Sequence, residues 1–249
     1  MNYETVRAVA LRTVRHNDRS SILTAWSETR GRLALVLPAG NGKESRRHRA
    51  LTMPMGLFEG VVAFRGDEEL HRVRDLRGWG PGGVRPDVGG NPVRSAVALF
   101  VAEVLTVATR EGGADPALWQ LVVETAVGIA TAEGHTLANL SPAFMVRLAG
   151  VLGIAPDLAD RRPGFGFDMT EGVFRPSAPL RGEWLPPEQT AVLHTFARAS
   201  EGYAHTGLAR LSGRVRTEML RGAMRYYTLH HYPMERLRSL DILSTIFAG

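Results

Sequence analysis

Gly78-Trp-Gly-Pro-Gly-Gly-Val-Arg-Pro-Asp-Val-Gly-Gly90 divides the chain. Its six glycines and two prolines disfavour helix and strand alike. Glycine carries excess backbone freedom, and proline lacks an N–H and clashes with a preceding turn. The stretch therefore reads as a linker. Before it, apolar residues recur with a period of two; beyond it, the period is 3.6. Strands followed by helices predict an α+β fold with the two classes segregated along the chain.

The strand-built part spans residues 1–80. Thr5–Val14 alternates loosely. Ser21–Trp26 and Arg32–Leu37 flank a turn at Glu28–Gly31 and predict a hairpin. Pro38-Ala-Gly-Asn-Gly-Lys-Glu-Ser-Arg-Arg-His-Arg49 reads as a basic loop. Leu51–Phe64 follows as a long apolar strand, with Pro54 and glycines that permit bulges. Leu70–Leu76 alternates, with Leu70, Arg72, Arg74 and Leu76 on one face and His71, Val73 and Asp75 on the other. Five strands in so short a span predict a small closed barrel of the five-stranded OB type, a fold known for binding nucleic acid.

Residues 81–249 read as a helical domain. Asn91-Pro92 is an N-cap and first-turn pair, and Asp115-Pro116 repeats it. A third helix is expected from Ser141-Pro142. At about 157–187 the periodicity fails in an irregular insert rich in proline and glycine. The aromatics Phe165, Phe167, Phe174 and Trp184 are scattered through it, with a short hairpin expected around Phe167–Phe174. Helices are expected again over Glu188–Ala199, Arg214–His230 and Arg236–Phe247.

Charge is distributed unevenly. Of the net +5, residues 1–90 supply all, with 15 Lys+Arg against 10 Asp+Glu; residues 91–249 hold 15 of each. A localised basic excess points to a polyanionic partner. The cations of the first part recur at Arg12 and Arg15 on the first strand, at Lys43, Arg46, Arg47 and Arg49 in the loop, and at Arg72 and Arg74 on the fifth strand. Small-barrel geometry lets these segments form one basic groove, and these eight residues are the expected DNA contacts. Trp26 or Phe58 offers a stacking surface, although both sit in apolar strand patterns that favour the core. Arg216, Arg221 and Arg225 form a second basic stretch, on a helix.

Enzyme motifs are missing. Gly40-Asn-Gly-Lys43 has Leu37 where a phosphate loop needs glycine and Glu44 where it needs Ser or Thr. Gly164-Phe-Gly166 lacks the third glycine of a dinucleotide fingerprint. The eight histidines show no metal-ligand spacing. The absence of cysteine excludes disulfides, thiol catalysis and thiolate zinc sites. No cofactor, metal or catalytic residue is expected. No apolar run approaches the roughly 20 residues that span a bilayer, and no signal peptide is recognisable. A soluble, cytoplasmic (nucleoid-associated) protein without a membrane partner is expected.

Four stretches in order resemble one family. Val6-Arg-Ala-Val-Ala-Leu11 leads to Asn17-Asp18 before Ser21-Ile22-Leu23, and then to Ser27-Glu28-Thr29-Arg30-Gly31-Arg32-Leu33. Asn91-Pro92-Val93-Arg94-Ser95-Ala96-Val97-Ala98-Leu99-Phe100-Val101-Ala102-Glu103 opens the helices. Pro142-Ala-Phe-Met-Val-Arg-Leu-Ala-Gly-Val-Leu-Gly153 and Leu237-Arg-Ser-Leu-Asp-Ile-Leu243 follow. Together they resemble the bacterial DNA repair family RecO over nearly the whole length.

The resemblance implies an N-terminal OB-fold, a helical body, and binding of single- and double-stranded DNA. It implies annealing of complementary strands in DNA repair and homologous recombination. It also implies partnership with RecR, contact with the C-terminal tail of the single-stranded-DNA-binding protein, and help in loading RecA. Phe144 and Arg147 are the expected receptors for that tail, an Arg for its carboxylate and apolar neighbours for its aromatic end. Many members hold zinc on four cysteines in the insert. This chain has none, so its aromatics must hold the insert together. The alternative reading is a non-enzymatic protein-interaction scaffold whose basic barrel grips an acidic partner.

Overall fold

The computed structural model describes residues 2–65, 69–83, 85–89, 91–109, 112–197 and 202–248. The chain forms two compact units, Met1–Thr131 and Ala132–Gly249.

Five strands open the first unit: β1 (Asn2–Arg15), β2 (Ser20–Ser27), β3 (Gly31–Pro38), β4 (Leu57–Phe64) and β5 (Leu70–Gly78). Antiparallel ladders join β1 to β2, β2 to β3, β1 to β4 and β4 to β5. A parallel ladder joins β3 to β5. Every strand has two neighbours, and the ring closes in the order β1-β2-β3-β5-β4. This is the expected five-stranded barrel, and closure removes its edges. Period two sets its interior: Val6, Ala8 and Ala10 point inward from β1, Leu23 and Ala25 from β2, and Leu33, Leu35 and Leu37 from β3.

Two bulges interrupt that period. On β1 the register slips between Ala10 and Arg12, so Val9, Ala10 and Leu11 are all buried in succession. Ala10, opposite Ala25 on β2, also exchanges backbone bonds with the turn before β4: Met55 N donates to Ala10 O (2.8 Å) and Ala10 N to Gly56 O (2.9 Å). On β5 the slip lies between the pairs Val61–Arg74 and Glu59–Arg77, with Asp75 in the left-handed region (φ 52°). Strict alternation fails there. Leu76 turns inward with Val73 and is 2% exposed, whereas Leu70 stays outside at 41%. The sequence reading put Leu70 and Leu76 on one face; the extra residue of the bulge separates them.

The basic stretch expected as a loop is a helix, α1 (Lys43–Leu51). Ser45, His48 and Leu51 recur every three residues and form its buried face, with Leu51 joining the barrel core. Leu51 therefore ends a helix rather than starting a strand. Met55 (φ 62°) turns the chain into β4.

The glycine-rich stretch folds back where it is described. Arg85–Gly89 lie against Leu51, Met53 and Leu57, with Val88 buried. Two capped helices follow, α2 (Pro92–Ala108) and α3 (Pro116–Thr131). Asn91 Oδ1 accepts from Arg94 N (2.8 Å) and Asp115 Oδ1 from Leu118 N (3.0 Å), as the cap pairs predict. These helices are tied to the barrel. Arg32 donates to Thr106 O (3.0 Å), and Trp79 stacks on Trp119 with centroids 5.8 Å apart.

The second unit begins with α4 (Gly134–Val151), eight residues or so before the expected start. Pro142 sits inside this helix and costs it one backbone bond. The helix is kept by its surroundings: Asn139 donates to Thr206 O (2.9 Å) and Ala209 O (2.8 Å), and Tyr227 to Met145 O (2.7 Å). The insert carries a three-stranded sheet of β6 (Gly166–Asp168), β7 (Val173–Arg175) and β8 (Trp184–Leu185), ordered β7-β6-β8. Phe167 pairs with Phe174 across the expected hairpin, their rings 4.9 Å apart, and the Trp184 ring lies over Gly166, where a Cβ would collide with it. The expected 188–199 helix is two short ones, α5 (Pro187–Thr190) and α6 (Leu193–Ala197), and its last residues, 198 and 199, lie outside the described residues. Next come α7 (Gly213–Leu229), capped by Ser212, and α8 (Ser239–Ala248). The terminal helix starts at Ser239 rather than Arg236, because Met234–Arg236 forms a separate 3-10 turn.

Gly31 should be the least replaceable turn residue of the barrel. Its φ is +67°, and a Cβ there would lie 2.5 Å from the Gly113 carbonyl carbon. Gly31→Ala is expected to cost roughly 1–3 kcal/mol. Gly150→Ala, in the last turn of α4 with open space around its Cβ, should be neutral or stabilising. Urea midpoints of the two variants check this.

Candidate nucleic-acid interface

Burial of the Ser45-His48-Leu51 face forces the other residues of α1 outward. Lys43, Arg46, Arg47 and Arg49 are all exposed. Lys43, Arg46 and Arg47 have no carboxylate partner among the described residues. Arg49 donates to Gly40 O (2.6 Å), which steadies the turn entering the helix. Glu44, the one carboxylate of α1, lies 3.9 Å from His48. Between α1 and β5 runs an open groove of about 540 Å³, lined by Lys43, Glu44, Arg47, His48, Asp75, Leu76 and Arg77.

The outward face of β5 continues this surface. Arg72 and Arg74 are exposed on it, and Arg77 ion-pairs with Glu59. Glu59 is also approached by Arg7 (3.8 Å), so two guanidinium groups share its charge. The Arg74 guanidinium lies 4.7 Å from the centre of the Tyr3 ring.

Of the eight expected contacts, the structure brings the α1 residues to β5, and Lys43 and Arg47 share a groove with Arg77. Arg12 and Arg15 lie elsewhere. Arg12 faces Thr24 on β2, and the pairings place β2 and β3 between it and β5. Arg15 is engaged in the β1–β2 turn, bonded to Asp18 (2.8 Å). Trp26 and Phe58 are 2% and 1% exposed, so neither offers a stacking face. Tyr3, outward on β1 beside Arg74, is exposed, and sequence reasoning passed it over. Its signal is the alternation Tyr3, Thr5, Arg7 on the outward side of β1.

The second basic stretch behaves differently. On α7, Arg214 pairs with Glu218 (3.2 Å) and Arg225 with Glu183 (2.9 Å). Arg216 is buried, donating to Leu211 O (2.6 Å) and lying over the Phe247 ring (5.0 Å). Burial lowers its pKa. These cations hold the unit together. The pair expected to receive a partner's tail also points inward. Phe144 is fully buried, and Arg147 is nearly so, its guanidinium 4.8 Å from the centre of the Tyr203 ring.

Among the described residues no group of three His, Cys, Asp or Glu side chains could hold a metal ion. No helix is long and apolar enough to cross a membrane.

His48 gives the α1 surface a pH dependence. Burial pushes its pKa below the ordinary 6.5; Glu44 opposes this and Arg47 reinforces it. The imidazole is thus neutral at pH 7. The unfolded chain takes up the proton more readily, so stability is full above about pH 6.5 and falls as pH drops toward the folded pKa. His48→Gln is expected to flatten that loss between pH 7.5 and 5.5 in urea midpoints. An equally steep loss in the variant would assign it to other groups.

The family description "Recombination protein O N terminal" matches residues 1–79, and "Recombination protein O C terminal" matches residues 90–241. The DNA repair protein RecO of Porphyromonas gingivalis is 31% identical over 250 residues, covering 97% of this chain and 98% of that protein. The RecO of Bacteroides fragilis is 28% identical over 243 residues, covering 96% and 97%. The RecO of Phocaeicola vulgatus is 27% identical over 240 residues, with the same two coverages. With both halves matched and relatives aligned end to end, the chain belongs to the RecO family, whose role lies in DNA repair and recombination.

Proposed function

We propose that this chain is a non-enzymatic recombination mediator whose barrel, residues 1–80, binds single- and double-stranded DNA and anneals complementary strands. One observation carries the reading. Lys43, Arg46 and Arg47 stand together on one exposed helix face without carboxylate partners, beside Arg77, while on α7 Arg214 and Arg225 are paired and Arg216 is buried, which leaves Arg221 exposed by itself.

Cations of this kind bind phosphate and release its counterions, giving affinity without sequence preference. Two strands that each shed charge onto such a surface repel one another less, and base pairing can nucleate. No bond is made or broken, so no catalytic group is needed. Family membership supports the further steps: acting with RecR, meeting the tail of the single-stranded-DNA-binding protein, and helping RecA load on coated DNA in the cytoplasm, at the nucleoid. For the tail, Phe144 and Arg147 would have to leave the interior. A groove of about 430 Å³ on α7 is the more accessible seat, with Met224 and Leu229 apolar and Arg221 exposed beside them. Arg49, Arg72 and Arg74 would add auxiliary phosphate contacts on α1 and β5, and Arg12 and Arg15 would meet DNA only away from the groove.

The test is binding of a labelled single-stranded oligonucleotide across a salt series, followed by addition of its complement. The wild-type protein should bind in a salt-sensitive manner and speed annealing. Replacing Lys43, Arg46 and Arg47 together by Ala should flatten the log–log salt slope by about 2 to 3. Arg221→Ala, on α7, should leave the slope unchanged. Weak binding by the wild-type protein, with no faster annealing, would favour a scaffold that grips an acidic protein partner.

A further inference from the structure

One side chain of the groove between α1 and β5 is not explained by packing alone. His48 lines the groove and is only 8% exposed, and its Nδ1 meets no hydrogen-bond partner among the described residues. Glu44 Oε1 stands 3.9 Å from Nε2, beyond hydrogen-bond reach, on an exposed side chain. A buried polar atom without a partner costs stability. An apolar side chain on the same inward face of α1 would carry no such penalty.

The charges around the ring are close to balance. Lys43, Glu44 and Arg47 line the groove from α1, and Asp75 and Arg77 from β5. Arg77 already ion-pairs with Glu59 on β4. That sets Lys43 and Arg47 against Glu44 and Asp75. β3 also packs on α1, and its one charged residue, Arg32, is bonded to the end of α2. Arg85 and Asp87 lie beside Leu51, at the far end of the helix. A proton on His48 would meet no uncompensated anion here. The ring stays neutral, since burial first, and then Arg47, outweigh Glu44. A phosphate in the groove changes the count. It brings a negative charge that a proton on the imidazole offsets, and the attraction is stronger where solvent is scarce.

We propose that a backbone phosphate of DNA enters the α1–β5 groove together with a proton on His48, which makes the barrel hold DNA more tightly as pH falls. Lys43 and Arg47 contact the phosphate, and His48 acts on it through its charge. The coupling is reciprocal: a phosphate that favours the proton is favoured by it to the same degree. Histidine suits the task because its charge changes between about pH 5 and 8. The sign separates this role from a structural one. If His48 only packs the helix, acid puts a charge into the core, loosens α1 and weakens binding. With a phosphate beside it, the same charge strengthens binding. Arg46, outside the groove, keeps its charge throughout, so the groove adds a proton-dependent part to a constant one.

This rests on the DNA-binding reading, and the experiment separates the two. Binding of a 12-mer of thymidylate is measured by fluorescence anisotropy from pH 7.5 to 5.5 at constant ionic strength. The strand carries no terminal phosphate, whose second ionisation falls near pH 6. The proteins are wild type, His48→Gln and His16→Gln, the last in the exposed β1–β2 turn. Wild type and His16→Gln are expected to bind about five- to tenfold more tightly at pH 5.5 than at pH 7.5. His48→Gln should match wild type at pH 7.5 and gain less than about twofold in acid. Calorimetry of the wild type at pH 6.5, in two buffers of different ionisation heat, should show proton uptake on binding. Release of protons, or no exchange, would overturn the proposal whatever the variant does. So would weaker binding in acid by the wild type, or an equal gain in wild type and His48→Gln. If the wild-type protein binds the strand at no pH, the DNA-binding reading itself fails and takes the proton linkage with it.

Discussion

The parallel ladder between β3 and β5 is the constraint on which the first unit depends. It is short, running from Ala34–Leu70 to Val36–Arg72, and it is the only parallel pairing in the ring. Without it β3 and β5 would be open edges of a curled sheet. Parallel strands cannot be joined by a tight turn. The chain must cross the barrel between them, and it does so through α1 and β4. Everything placed on that crossing inherits its geometry. Leu51 is drawn into the core, so the rest of α1 has only one way to face, and that face carries the cations. The bulge at Asp75 turns Leu76 inward, closing the same end of the barrel, and leaves Arg77 on the outside near α1. The basic groove is thus a by-product of closure: a helix that caps the barrel sits beside the strand that completes it.

In the second unit the same residue types have another use. The second unit holds 13 Lys+Arg against 11 Asp+Glu, close to balance. Arg214, Arg225 and Arg175 each meet a carboxylate. Exposed pairs of this kind contribute little stability each. They do remove the field that would otherwise draw a polyanion. Net charge alone would not have separated the two units' surfaces. What separates them is clustering: Lys43, Arg46 and Arg47 stand together on one face of α1 without carboxylate partners, whereas on α7 only Arg221 is exposed and unpaired among the described residues.

Much of this was legible in the sequence, and the failures have local causes. The hairpin at Glu28–Gly31, the caps Asn91 and Asp115 and the insert hairpin Phe167–Phe174 were legible because short-range chemistry decides them. α1 was missed because glycines precede it and its inward face is unusual. Two of its three buried residues, Ser45 and His48, are polar, so no apolar stripe announces the helix. The start of α4 was missed because Pro142 imitates a first-turn proline; burial of Asn139 and Ser141 around it overrides that preference. The β5 faces were misread because a bulge cannot be seen in a pattern that assumes strict alternation. Among candidate contacts, grouping by strand found Arg72 and Arg74. It could not find Tyr3, whose relation to Arg74 exists only across β4.

On the proposed reading, the character of the α1 surface matters as much as its charge. Lys43, Arg46 and Arg47 are solvated, so a phosphate held by them would be held weakly, screened by salt and quickly exchanged. Strands held in this way would be able to slide into register. A base stacked on an aromatic ring is held by its face and cannot pair while it is stacked. Trp26 and Phe58 are both turned inward and offer no such face, which suits a surface meant to let strands pair.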